Sequence, residues 1–266
     1  DELTTPTAPK ADYQAVNSDT NESQKCMLQK LQLGSNTFRD LKRYSDERGI
    51  IFLSSPFGSS EADLLNEIDV PAFKIPSGEI TNIDLLRHIA KLNKPIILST
   101  GMANLTEVKL AVRVMRHEGA FKIAVLHCVS NYPASPKDVN LRAMATMAEA
   151  LNVPVGFSDH TLGNEVAFAA VALGACIIEK HLTLDPHRIG PDHATSLSPH
   201  QFSEMVVGIR KIQLALGHGQ KEPVASETAI AAVARRSLVA AIDIPKGSKI
   251  SDSMIAARRP GTGISP

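Results

Sequence analysis

From Ser35 onward, short apolar runs alternate with stretches whose apolar positions recur at helical spacing. The runs are IIFLSSPF, FKIPSGE, PIILSTG, KIAVLHC, VPVGFSDH and IIEKH, starting at Ile50, Phe73, Pro95, Lys122, Val153 and Ile177. Between them the pattern predicts helices over Asn36 to Arg48, Ser60 to Glu67, Asn82 to Leu92, Asn104 to His117 and Asn140 to Ala150. A small-residue helix after Gly163 and a longer one over Pro199 to Leu216 complete the series. Thr81, Asn82 and Asp84 mark one start, and Asn104, Thr106 and Glu107 have the spacing of a capping box at another. The run interiors are continuously hydrophobic, which suits parallel strands buried on both faces.

The flanks read differently. Asp1 to about Lys25 is polar and predicts a long loop, so the chain is expected to start midway through a fold. After Gly217, GHGQKEPVASE reads as a linker, an Ala-rich stretch to Arg235 as a short helix, and the apolar runs around PKGSK as the start of a small β module. The expected organisation is a synthase domain over 1–217, a linker with a helix over 218–235, and an incomplete β module over 236–266.

Alternating strands and helices leave two architectures, an open doubly wound sheet and a closed (β/α)8 barrel. No GxGxxG turn follows any strand. Nearly every strand ends in polar groups: Ser54 and Ser55; Ser77 and Glu79; Ser99 and Thr100; His127, Ser130 and Tyr132; Ser158, Asp159 and His160; Glu179 and His181. Functional groups at the C-terminal ends of many strands are the habit of the TIM barrel. Six strands then imply that two precede Asp1.

The stretch from Val153 to His193 concentrates the chemistry. It is one strand, helix, strand unit, and its two strands, if parallel neighbours, lie about 4.8 Å apart. By period-two alternation Ser158 and His160 share a face, as do Glu179 and His181. A lone histidine at a strand end usually satisfies a carbonyl. Two, at matched ends beside a serine and a carboxylate, point to a metal site.

Composition narrows the class. The net charge is zero and aromatic residues are 4%, so nothing favours nucleic acid. Cys26, Cys128 and Cys176 are widely spaced and odd in number, and read as reduced, buried thiols of a cytoplasmic protein. No apolar run approaches a bilayer span, and the first residues show no signal-peptide pattern.

The motifs KIPSGEITN, PIILSTGM, HCVSNYPA, GFSDHT, EKHLT, GPDH and RRPGTGISP together resemble the sialic acid synthase, or NeuB-like, family. The resemblance implies a (β/α)8 TIM barrel followed by an antifreeze-like (SAF) β module, a domain-swapped homodimer, and condensation of phosphoenolpyruvate with an N-acylated mannosamine-type sugar. It implies that His160 and His181 hold a divalent metal, Mn²⁺ before Mg²⁺ or Co²⁺, and that Glu79 joins them in the catalytic set. Lys74, Ser77, Ser99, Ser130 and Ser158 fall to phosphoenolpyruvate. Glu79, Tyr132 and Asp192 fall to the sugar, as does Arg259, supplied by the partner subunit. Glu179 and Asp159, flanking the proposed ligands, could orient an imidazole. Two other readings stay open, another phosphoenolpyruvate-condensing barrel and an inactive sugar-binding fragment. The acceptor could be N-acetylmannosamine, its 6-phosphate, or a 2,4-diacetamido trideoxy sugar.

Overall fold

The computed structural model describes residues 3–18 and 22–266. Two compact units divide between Leu216 and Gly217.

In the first unit five strands, β1 (Phe73–Ile75), β2 (Ile96–Ser99), β3 (Ile123–Cys128), β4 (Val155–Asp159) and β5 (Ile178–Lys180), form one sheet in the order β1-β2-β3-β4-β5. Every neighbouring pair is parallel. The helices α1 (Asp12–Asn17), α2 (Gln24–Leu31), α3 (Ser35–Glu47) and α4 (Ser59–Glu67) precede the sheet. Then α5 (Ile83–Lys91), α6 (Leu105–His117), α7 (Ala143–Leu151) and α8 (Glu165–Ala172) connect the strands, and α9 (Pro199–Leu216) follows. Strictly sequential strand order is the barrel's winding; a doubly wound sheet reverses direction partway.

Period-two alternation splits each strand between two environments. Phe73, Ile75, Ile96, Leu98, Ile123, Val125, Val155 and Phe157 pack against Leu85, Leu86, Ile89, Val108, Val112, Met115 and Met147 of the surrounding helices. Lys74, Ser99, Cys128, Ser158 and Glu179 fall on the other, inner face. Local sequence fixes the helix starts: the Asn104 side chain accepts from Thr106 N (2.9 Å) and Glu107 N (3.1 Å), while Glu107 accepts from Asn104 N (2.8 Å). Such a cap contributes about 1 kcal/mol.

Three expectations need correction. The run at 50–57 joins no ladder among the described residues. Its apolar side chains have no continuous surface to cover, with Ile50 67% and Ile51 72% exposed, although Phe52 packs on the core and Pro56 is buried. The polar opening stretch contains α1 and the start of α2, the latter begun by Ser23, whose side chain accepts from Cys26 N at 3.2 Å. All three cysteines are free, but only Cys128 is buried.

The second unit carries α10 (Thr228–Ala234) and an antiparallel pair, β6 (Ser237–Ala240) and β7 (Ile255–Arg258). Ser237 ties it together, donating to Pro260 O (2.8 Å) and accepting from Gly263 N (2.8 Å). Arg259 follows β7 and is exposed. Among the described residues no helix is long and apolar enough to cross a membrane.

Candidate active site

The inner face of the curled sheet gathers polar side chains from strands that a flat sheet would keep apart. Lys74 Nζ, on β1, donates to Ser99 Oγ of β2 at 2.8 Å and lies 3.4 Å from Glu179 Oε2 of β5. In a flat sheet β1 and β5 would be separated by four strand spacings, roughly 19 Å. Two side chains cannot bridge that, so the contact is a direct consequence of barrel curvature. Ser158 of β4 donates to Glu179 Oε1 at 2.6 Å and stands 3.4 Å from His160 Nε2. Polar contacts thus run unbroken from Ser99 through Lys74, Glu179 and Ser158 to His160.

His160 is 8% exposed, and its Nδ1–H donates to Val129 O at 2.7 Å. Burial holds its pKa below the ordinary histidine value, outweighing the opposing effect of the Val129 carbonyl. The imidazole is therefore neutral at pH 7, with the Nε2 lone pair turned to the interior. The ring of His181 lies 5.4 Å away, edge-on at 88°. A backbone bridge sets its position: Leu197 N donates to His181 O (2.9 Å), and Thr183 N donates to Leu197 O (2.9 Å).

Asp159 does not orient an imidazole. By parity it points to the outer face, where Lys180 Nζ meets Asp159 Oδ2 at 2.7 Å with both side chains wholly buried. Asp159 Oδ1 also accepts from Thr161 N (2.9 Å) and Thr161 Oγ1 (2.7 Å), and Lys180 donates to Thr161 O at 2.5 Å. This buried cluster staples the two strand ends from behind, just where His160 and His181 emerge in front. The acceptor that does orient His160 is the Val129 carbonyl, which no side-chain pattern could have revealed.

A second cluster forms at the ends of β1, β2 and β3. Ser77 Oγ accepts from Gly101 N (2.9 Å) and contacts Cys128 Sγ (3.2 Å). Ser130 closes in as well, because a Cβ at Gly101 would come within 2.2 Å of Ser130 Oγ. Thr100 is diverted, its hydroxyl donating to Leu126 O at 2.9 Å. Glu79 is buried, and its carboxylate accepts from Asn82 Nδ2 at 2.7 Å. Among the described residues no hydrogen bond or ring contact joins Glu79 to the histidines.

Tyr132 stacks 4.3 Å from the His160 ring and 5.5 Å from His181. Burial above all raises its phenol, with smaller contributions from Tyr13, Cys128, Asp192 and Glu179, so the hydroxyl keeps its proton. Asp192 Oδ2 is 4.0 Å from His181 Nδ1, whereas Asp192 Oδ1 is buried and has no partner among the described residues. Sequence reasoning missed Tyr13, whose ring lies 4.9 Å from Tyr132, and Cys128.

No group of three or more His, Cys, Asp or Glu side chains among the described residues is arranged to hold a metal ion. The donors present are two imidazoles, one of them neutral with its Nε2 lone pair 3.4 Å from the Ser158 hydroxyl, beside a carboxylate oxygen that has no partner among the described residues. That set fits a divalent ion that takes its other ligands from water or substrate oxygens, not a closed structural zinc.

The NeuB family model matches residues 1–221 and the SAF domain model residues 235–266. The chain is 48% identical over 260 residues to an N,N'-diacetyllegionaminic acid synthase of Campylobacter jejuni, covering 97% of this chain and 78% of the relative. It is 42% identical over 270 residues to the protein of that name from Legionella pneumophila, covering 100% and 76%. The crystal structure of an N-acetylneuraminic acid synthetase from Leptospira borgpetersenii superposes with a TM-score of 0.74 at 36% identity, covering 80% of this chain and 75% of that one.

Proposed function

The chain belongs to the NeuB family, and from that premise we propose that it condenses phosphoenolpyruvate with an N-acylated mannosamine-type sugar, releasing phosphate and a nine-carbon sialic acid. The names of the Campylobacter and Legionella relatives support the legionaminate branch, with a 2,4-diacetamido trideoxy sugar as acceptor.

The observation that carries this reading is the line of contacts from Ser99 through Lys74 and Glu179 to His160. It puts a cation and hydroxyl donors beside two imidazoles in one curled strand-end surface. Lys74, 12% exposed, would give up its pairing with Glu179 to face the phosphate of phosphoenolpyruvate. Ser99, Ser77 and Ser130 would donate to phosphate and carboxylate oxygens.

As the carbon–carbon bond forms, the enol electron pair moves to the sugar aldehyde carbon. The aldehyde oxygen gains charge and then a proton, water adds at the second carbon, and phosphate departs. His160 and His181 are the residues that would hold a divalent ion, Mn²⁺ first, which when bound supplies Lewis acidity to the aldehyde oxygen. Tyr132 and Asp192 would orient the sugar through its hydroxyl and N-acyl groups. Arg259 enters through the resemblance alone, as a guanidinium given by a partner subunit in a homodimer.

The test is phosphate release from phosphoenolpyruvate, with and without Mn²⁺, offering N-acetylmannosamine and the 2,4-diacetamido sugar in parallel. Metal-dependent release with the diacetamido sugar is the expected result. Release without any sugar, or no release with either sugar, would reject the condensation.

Gly101→Ala tests the phosphoenolpyruvate end separately. Its Cβ would stand 2.2 Å from Ser130 Oγ and 2.9 Å from Ser77 Oγ, displacing both hydroxyls. The expected result is a KM for phosphoenolpyruvate raised about ten-fold, the equivalent of one or two lost hydrogen bonds, with the sugar KM unchanged. An unaltered phosphoenolpyruvate KM would remove both serines from that role.

A further inference from the structure

The site has a wall that does not come from the strand ends. Helix α1 contains no buried residue, so the hydrophobic core does not hold it in place. It is held at the site itself. The Tyr13 ring lies on Tyr132 at 4.9 Å, and Tyr132 in turn lies on His160 at 4.3 Å. At the other end of the helix Asn17 O accepts from Gly190 N at 3.1 Å, and Asn17 Nδ2 donates to Pro191 O at 3.2 Å. Those two bonds tie α1 to the residues immediately before Asp192.

Between α1 and the turn after β3 lies a cavity of about 550 Å³, lined by Ala11, Asp12 and Tyr13 on one side and Ser130 to Pro133 on the other. That is a volume typical of small-ligand sites. Its chemistry is mixed. Tyr13 and Tyr132 bring rings with hydroxyls at their tips to the lining, and Asp12 brings a carboxylate; Asp192, outside that lining, has a buried acceptor oxygen, Oδ1, that has no partner among the described residues. Burial, and then the Asp192 charge, raise the Tyr13 phenol, so it stays protonated and able to donate. An aromatic wall with hydroxyl donors and a carboxylate beside it suits a ligand that is both polyhydroxylated and N-acylated.

We propose that Tyr13 is a further acceptor-binding residue, which with Tyr132 and Asp192 receives the N-acyl end of the sugar while its aldehyde end faces His160 and His181. The proposal rests on the condensation proposed above and adds to it the segment that reads the acceptor.

Tyr13→Ala and Tyr13→Phe in the full chain test it, through steady-state phosphate release and calorimetric titration with the diacetamido sugar and N-acetylmannosamine. Tyr13→Ala should raise the KM and Kd of the sugar about ten-fold, as loss of a ring contact and a hydroxyl would, and leave the phosphoenolpyruvate KM unchanged. Tyr13→Phe should fall between it and the parent chain. An unchanged sugar KM, or equal rises for sugar and phosphoenolpyruvate, would reduce Tyr13 to an anchor for α1 and overturn the proposal, leaving the condensation intact. If the parent chain releases no phosphate yet binds sugar in a Tyr13-dependent way, the condensation fails and the binding role stands. Absence of both turnover and sugar binding overturns the two together.

Discussion

Replacing His160 or His181 by alanine is expected to abolish metal-dependent phosphate release while leaving the fold intact. The neutral His160 imidazole donates through Nδ1 to Val129 O, which leaves Nε2 as a donor atom, and the His181 ring lies 5.4 Å away. With only two imidazoles to hold an ion, loss of either removes half of the protein's nitrogen donors. Lewis-acid stabilisation of a developing alkoxide is worth several kcal/mol, so turnover should fall by about 10³-fold or more. The structural penalty is smaller. His160→Ala leaves the Val129 carbonyl without its donor, at about 1–3 kcal/mol, whereas the His181 side chain is 31% exposed and its backbone bridge to Leu197 survives the substitution. Phosphate release, thermal melting and Mn²⁺ binding by electron paramagnetic resonance separate the effects. Parent-level activity in both variants would sink the metal assignment.

The largest stability effect is expected behind the site. Asp159 and Lys180 form an ion pair with both side chains fully buried, and each partner is also bonded to Thr161. Lys180→Met would strand a buried carboxylate. Breaking such a pair from one side destabilises by about 3–5 kcal/mol, which for a domain of this size lowers Tm by roughly 6–20 °C. Asp159→Leu combined with Lys180→Met should recover most of that loss, because two apolar side chains leave no charge uncompensated. The pair links the strand ends bearing His160 and His181, so the single variants should also lose activity out of proportion to their unfolded fraction at assay temperature. Urea unfolding of the singles and the double gives the coupling directly. A Lys180→Met variant within about 1 kcal/mol of the parent would show that the pair is not the staple described.

Elements that announce themselves locally were legible. The Asn104 and Glu107 cap needs residues within one turn of each other, and its side chains bond as their spacing predicts. Alternation along β4 and β5 placed Ser158 with His160 and Glu179 with His181, because a strand's side-chain period is fixed by the backbone. The same rule, applied to Asp159, would have sent it to the outer face beside Lys180. The failures share one cause. The run at 50–57 has the apolar composition of a strand, but a strand needs a hydrogen-bonded neighbour, and none of the described strands is paired to it. Helix α1 hides in a polar stretch because it is held by contacts to Tyr132, Gly190 and Pro191, not by an apolar face of its own.

By itself the sequence determined the order of strands and helices from α4 onward, the parity of β4 and β5 at their polar ends, and the motifs that mark the family. These follow from backbone period and local bonding, which act over a few residues. The tertiary structure alone decided that Lys74 of the first strand meets Glu179 of the fifth, that a main-chain carbonyl sets the His160 tautomer, and that Tyr13 stands at the site. Each depends on how far the sheet curls and on where a distant segment comes to rest. Those are sums of many weak contacts across the whole unit, and no local pattern records them.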